Sequence, residues 1–89
     1  MDERYGRRLW VLLGGTLREL DEGRRYAERL AVLPDALERE LETIDQLSEQ
    51  LMAAPSPRDA VLLARELLAH ARNARRLAAI AAHSNGSPT

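Results

Sequence analysis

The chain has few side chains that could perform chemistry, and their spacing does not suit catalysis. Its two histidines, His70 and His83, are thirteen residues apart, and neither belongs to an E-x-x-H or H-x-x-x-H pair of the kind that binds zinc. Cysteine is absent, which excludes a thiolate nucleophile and a cysteine-ligated metal. We therefore expect no catalytic residue, no metal site and no cofactor. His70 is interpreted as a partly buried residue that hydrogen-bonds a neighbour.

Acidic residues follow one side of the second predicted helix at spacings of four, three and four: Glu38, Glu42, Asp45 and Glu49. Paired carboxylates act as acid and base only where a pocket shifts a pKa, and side chains on an open helix face lack such a pocket. The pattern indicates a solvated charged surface, so the chain is not expected to be an enzyme.

The basic residues, all 13 of them arginine, form two local clusters. The clusters are Arg4, Arg7 and Arg8 near the amino end, and Arg72, Arg75 and Arg76 in the third predicted helix. A formal net charge of −1 gives no overall attraction to nucleic acid, and cations are favoured at the C-terminus of any helix. We expect a protein partner, and keep a nucleic-acid-binding regulator that uses the arginines as an alternative.

Two proline-containing breaks, at residues 33–35 and 54–57, divide the chain into three helical segments. Between them apolar residues recur every three or four positions, and nothing alternates with period two. The pattern predicts helices at about 3–33, 35–54 and 57–83.

These helices are expected to form one all-α domain over residues 1–83, followed by a disordered tail at 84–89. Short turns between helices of similar length predict an up-down-up three-helix bundle, in which a helical hairpin packs beside the long N-terminal helix. The residues before Thr16 would then extend beyond the bundle. Because so small a domain buries little surface, we expect it to self-associate or to bind a partner.

Capping signals follow both breaks. Ser56 precedes Pro57 and lies three residues before Asp59, which is a variant of the capping box. Asp35 and Glu38 repeat the pattern at the start of the second helix. The side chains of Ser56 and Asp35 are therefore expected to cap the two helices.

The glycines of the first segment leave its continuity open. An apolar stripe runs through Gly14 and Gly15 without a break, which favours one continuous or kinked helix, yet each glycine costs about 1 kcal/mol relative to alanine. Thr16 and Glu19 form a T-x-x-E capping box directly after the glycines, which favours two separate helices.

Opposite charges predict how the hairpin pairs. The second helix has six acidic residues and one arginine, net −5, and the third has five arginines and two acidic residues, net +3. An antiparallel hairpin would place Asp45 near Arg65 and Glu38 near Arg72.

Nine consecutive uncharged residues, 9–17, include the only tryptophan, Trp10. The run is too short to span a bilayer, which takes about 20 residues, and no small-residue cleavage site follows it. We therefore expect a cytoplasmic chain without a membrane span. Trp10 and Val11 lie off the stripe that contains Leu9 and Leu13, so two sides of this helical turn are apolar. Tryptophan is enriched in interfaces but also common in cores, and both interpretations stay open here.

We predict that the run is a contact surface. The candidate partner-binding residues are Leu9, Trp10, Leu12, Leu13 and Leu17, which would bind a helix of a partner protein or a second copy of the chain. The sequence thus predicts a protein–protein interaction module with an adaptor, chaperone-like or regulatory role.

The predicted shape is similar to that of small helical export chaperones, among them the co-chaperones of type III secretion needle subunits and the flagellar chaperones. No motif accompanies this similarity of fold, so it implies no role for any residue. A secretion-system export chaperone is a further alternative.

Overall fold

Three α-helices form the protein, and a computed structural model describes residues 3–86. The helices are α1 (Glu3–Ala27), α2 (Asp35–Met52) and α3 (Pro57–Gly86). No strand occurs among these residues, which confirms the all-α prediction. Residues 84–86, predicted as part of a disordered tail, continue α3 instead, and residues 87–89 of that tail lie outside the described part of the chain.

α1 is one continuous helix through Gly14 and Gly15, so the alternative of two helices is wrong. The Thr16 hydroxyl donates to the Leu12 carbonyl oxygen at 2.8 Å. A threonine in a helix interior makes this bond to the preceding turn, whereas a capping residue would accept a bond from the following one. Thr16 is also buried, with 3% of its surface exposed.

The same helix ends at Ala27, before the predicted limit at residue 33. The N–H groups of Arg29 and Leu30 bond the carbonyls only three residues earlier, of Tyr26 and Ala27, at 3.1 and 3.0 Å. This tightening ends the helix. Leu30 and Leu33 then pack against the core from the connection, which explains why the apolar pattern continues beyond the helix.

The two predicted capping boxes have different outcomes. At α3 the Asp59 N–H donates to the Ser56 hydroxyl at 3.2 Å, and that hydroxyl donates to the Asp59 carboxylate at 2.8 Å, as predicted. At α2 the cap position is occupied by Pro34, without a side-chain hydrogen bond, and Asp35 is already helical. The prediction for Asp35 is wrong because the extended backbone of the proline brings the chain into the helix one residue earlier. Asp35 instead places its charge in the positive first turn.

The central helix is α3, which packs along both of the others. Gly15 of α1 lies beside Leu68 and Gly23 beside Arg75, so α1 runs parallel to α3, while α2 returns antiparallel in the hairpin. Within residues 3–86 no Cα of α1 lies within 8 Å of a Cα of α2. The bundle is thus up-down-up, as predicted, but the first and second helices are separated.

The residues before Thr16 do not extend beyond the bundle. Tyr5 and Leu9 line a depression together with the turn at residues 54–57. Because α1 begins level with the start of α3, its first turns pack beside that turn. The predicted overhang is therefore wrong.

The core lies mainly between α2 and α3. Its buried members are Leu37, Ile44, Leu47, Leu67, Ala74 and Ala78. Leu20 of α1 packs against this cluster and is itself partly buried.

Neither predicted ion pair of the hairpin forms among the described residues, not Asp45 with Arg65 and not Glu38 with Arg72. Glu40 pairs the two helices instead: one carboxylate oxygen bonds His70 and the other accepts from Asn73 at 3.1 Å. The predicted register is right, since Glu40 faces His70. The pairing uses another face because the acidic and arginine stripes are turned to solvent.

Candidate protein-binding surface

The predicted partner-binding residues of α1 lie in different surroundings. Trp10 and Leu17 are 79% and 68% exposed, whereas Leu9, Leu12 and Leu13 are half-buried. Leu9 lines the depression beside the α2–α3 turn, and Leu12 faces the opposite flank of the helix, near α3. The five residues therefore do not form one surface.

Four apolar residues of α1 do share one side of the helix. Trp10, Leu13, Leu17 and Leu20 follow at spacings of three, four and three, which is the a/d pattern of a helix that packs against another helix. We call them the α1 row. Their exposure alternates along the helix, since Trp10 and Leu17 are exposed whereas Leu13 and Leu20 are half-buried. Leu20 was not among the predicted site residues, although the same spacing pointed to it.

Two glycines beside this row have open space where a side chain would stand, as far as the described part of the chain shows. Gly6 and Gly14 are exposed, and a Cβ atom at either position would meet nothing within 4 Å. Gly15 and Gly23, in contrast, allow the close approach of α3. A glycine inside a helix costs about 1 kcal/mol relative to alanine, and nothing in the described chain compensates that cost at Gly6 and Gly14.

A cleft of about 270 Å³ separates α1 from α2. Its lining residues are Glu19, Leu20, Gly23, Arg24, Ala27, Leu37, Leu41, Ala74 and Arg75. The cleft exists because α1 and α2 are held apart on either side of α3. Since Leu20 lines it, the α1 row leads from exposed Trp10 into the cleft.

The α2 border of the cleft is acidic. Leu41 lines the cleft, and Glu38 and Asp45 lie three residues before it and four after it, so both adjoin Leu41 on the helix surface. Glu42 and Glu49 follow just outside them. We call these four residues the α2 acidic row; all are exposed, and within the described structure none of their carboxylates has an ion-pair partner.

An ion pair joins α1 to α3 at the edge of the cleft. The Arg75 guanidinium donates to the Glu19 carboxylate, and its Nε atom lies 3.8 Å from an oxygen of Glu22. Arg75, assigned from the sequence to a basic cluster, is therefore engaged within the chain. Sequence reasoning missed this pair because its members are 56 positions apart, on helices that run parallel.

Arginines from two helices line a depression of about 630 Å³ on the other flank of α1. Its lining residues are Arg4, Arg7, Arg8, Val11, Leu12 and Arg65. The amino-terminal cluster thus gains Arg65 from α3, which the sequence alone does not place there.

His70 hydrogen-bonds Glu40 with 40% of its side chain exposed, as the sequence predicted for a partly buried histidine. Among the residues that the structure describes, no group of three or more His, Asp or Glu side chains could hold a metal ion. Within residues 3–86, no helix combines the length and apolarity that crossing a bilayer requires.

The α1 row is an apolar surface feature, with an exposed tryptophan and an adjacent cleft. No family model, curated protein or solved structure matches this chain. Its function is therefore inferred from the surface itself.

Proposed function

We propose that the protein is a small interaction module, with an adaptor, chaperone-like or regulatory role, that binds a helix through the α1 row. The observation that carries this proposal is the 79% exposure of Trp10 beside Leu17, which is 68% exposed. Full burial of a large apolar side chain contributes about 1.5–3 kcal/mol, and tryptophan is enriched among residues that dominate interface energies. Covering this row is therefore favourable.

The spacing of the α1 row suits a helical partner. Residues repeating at three and four positions present knobs to the grooves of a second helix. Gly14 lies between Trp10 and Leu17 along the chain and is exposed, so a partner could approach the α1 backbone closely there. This use would account for a glycine that has no role in packing α1 on α3.

Trp10 supplies its own assay, because it is the only tryptophan and its emission reports on this surface. A suitable probe is a synthetic peptide of about four heptads, with leucine at a and d and glutamine at the flanking positions. We expect its addition to shift Trp10 emission to shorter wavelength. Leu17→Ser should weaken peptide binding about tenfold or more, because an exposed anchor is removed.

The matched control is Leu62→Ser. Leu62 is 50% exposed on α3, whose buried side faces α1 and α2. Both variants should keep the helix content and the thermal midpoint of the parent chain, since exposed positions change stability by about 0.5 kcal/mol at most. Equal binding by the parent chain and Leu17→Ser, or no emission change at all, would contradict the proposed function.

The arginine-lined depression favours a second candidate, a nucleic-acid-binding regulator. Arg7, Arg8 and Arg65 gather on one flank of the molecule beside Val11, which is 68% exposed. Affinity for a short DNA duplex should then fall steeply between about 50 and 200 mM salt. Absence of binding at the lower salt concentration would remove this candidate. The export-chaperone alternative uses the α1 row and differs only in the client.

A further inference from the structure

We propose that the helix bound by the α1 row is basic, and that the α2 acidic row selects it. This inference rests on the proposed function, because it specifies the chemistry of the partner at the same surface. The partner would be an amphipathic helix with an apolar side and a flank of lysine or arginine residues.

The two rows lie on opposite borders of one cleft. Leu20 and Leu41 both line it, with Leu17 next to Leu20 on α1 and Asp45 next to Leu41 on α2. α1 and α2 run in opposite directions, so the path from Leu20 towards the amino end of α1 accompanies the path from Leu41 towards Glu49. A helix laid on the α1 row therefore has the α2 acidic row along one flank.

No carboxylate of the α2 acidic row forms an ion pair within the described chain. Glu38 and Glu42 are four residues apart, as are Asp45 and Glu49, and like charges at this spacing destabilise a helix. The acidic residues of α1 differ, since Glu19 pairs with Arg75. A cationic partner would relieve the repulsion on α2 and add attraction at the same time.

Two ways of docking a second copy suit this surface poorly. If a two-fold axis perpendicular to the helices sets the α1 row on the α1 row, the α2 acidic row faces its own copy, and like charges across an interface are unfavourable. If the axis instead sets the α1 row on the α2 acidic row, leucine and indole groups cover unpaired carboxylates. Neither arrangement matches apolar with apolar and acid with base.

A basic amphipathic helix satisfies both halves of the surface. Its apolar side covers Trp10, Leu13 and Leu17, and its basic flank reaches Asp45 and Glu49. Exposed ion pairs are individually weak, so the acidic row contributes selectivity and association rate more than affinity. Several such pairs together are expected to separate a basic from an acidic helix by about tenfold.

The test compares two synthetic helical peptides with the same leucines, one carrying lysine and the other glutamate at the flanking positions. Trp10 emission measures the affinity of each peptide for the full chain. We expect the lysine peptide to bind about tenfold more tightly at low salt. Because about 1 M salt shortens the screening length to about 3 Å, the difference should largely disappear there.

Charge reversal on α2 provides the decisive variant. Asp45→Lys should weaken binding of the lysine peptide severalfold and strengthen binding of the glutamate peptide. Glu66→Lys is the matched control: it changes the net charge equally, at an exposed position of α3 that lines neither the cleft nor the α1 row. It should alter both affinities less than about twofold, because exposed charges far apart are screened.

The outcomes separate this inference from the proposed function. Equal binding of both peptides, with Leu17→Ser weakening both, would overturn charge selection and leave the proposed function standing. No change in Trp10 emission with either peptide would overturn both. If sedimentation shows the chain alone forming a dimer that Leu17→Ser dissociates, the occupant is a second copy and the inference is wrong.

Discussion

The bundle has two seams, one between α2 and α3 and one between α1 and α3, and they use side chains of different size. Between α2 and α3 the contact is made by large buried residues, with Ile44 at 4% exposure and Leu47 at 9%. Between α1 and α3 the contact depends on glycine: a Cβ atom at Gly15 would lie 3.4 Å from the Leu68 side chain, and one at Gly23 would lie 3.3 Å from a backbone atom of α3. We call the α2–α3 contact, which large side chains fill, the seam filled by volume. We call the α1–α3 contact, where glycines let the two backbones approach, the seam closed by proximity.

This difference explains where the free apolar surface lies. α2 turns its large apolar residues towards α3 and leaves acids outside. α1 turns glycines and Thr16 towards α3, so large residues such as Trp10 and Leu17 are left on its outer side. The exposed apolar surface of α1 is therefore a consequence of how closely α1 and α3 approach.

The largest expected effect concerns the seam filled by volume. Ile44→Ala should lower the free energy of unfolding by about 2–5 kcal/mol, because it removes buried methyl groups and leaves a cavity. Urea unfolding followed by circular dichroism measures the change. Met52→Ala is the control on the same helix, since Met52 is 90% exposed and should change stability by about 0.5 kcal/mol at most. Equal effects of the two changes would show that large buried side chains do not hold α2 on α3.

The seam closed by proximity is tested by the same change at two glycines of α1. Gly23→Leu should lower the free energy of unfolding by about 1–3 kcal/mol, because its side chain must push the α3 backbone away. Gly14→Leu should raise that free energy by up to about 1 kcal/mol, since leucine favours the helix and no atom of the described chain lies within 4 Å of a Cβ placed at Gly14. Thermal and urea unfolding measure both. Stabilisation by both substitutions would mean that α1 is not in close contact with α3.

The fold could be predicted from the sequence where the signals are local. Proline breaks and apolar spacing gave three helices, and the Ser56 cap was found because both of its partners lie within one turn. The hairpin register followed from a short connection. The end of α1 at Ala27 could not be found this way, because Leu30 and Leu33 keep the apolar spacing while packing from a turn.

The surface could be predicted only in part, for a related reason. Trp10 and Leu17 are exposed on one side of α1, and both are among the residues that the sequence assigned to a contact surface. Leu12, however, faces α3, and Leu20 joins the row in its place. The cleft depends on the separation of α1 from α2. Tertiary packing sets this separation, and the spacing of apolar residues along either helix does not reveal it.

The smallest expected effect concerns the ion pair between α1 and α3. It tests whether this pair adds to the close backbone packing that holds α1 on α3. A double-mutant cycle with Glu19→Ala and Arg75→Ala should give a coupling of about 1 kcal/mol, since the pair is only partly exposed and bridges two helices. The control is the pair of Asp21 and Arg25, 3.3 Å apart within α1 and at least half exposed, for which about 0.3–0.5 kcal/mol is expected. Both cycles are measured by urea unfolding at low salt. Equal couplings would mean that the Glu19 pair does not hold the seam, so that the close packing of the two helices, as at Gly15 and Gly23, keeps α1 on α3.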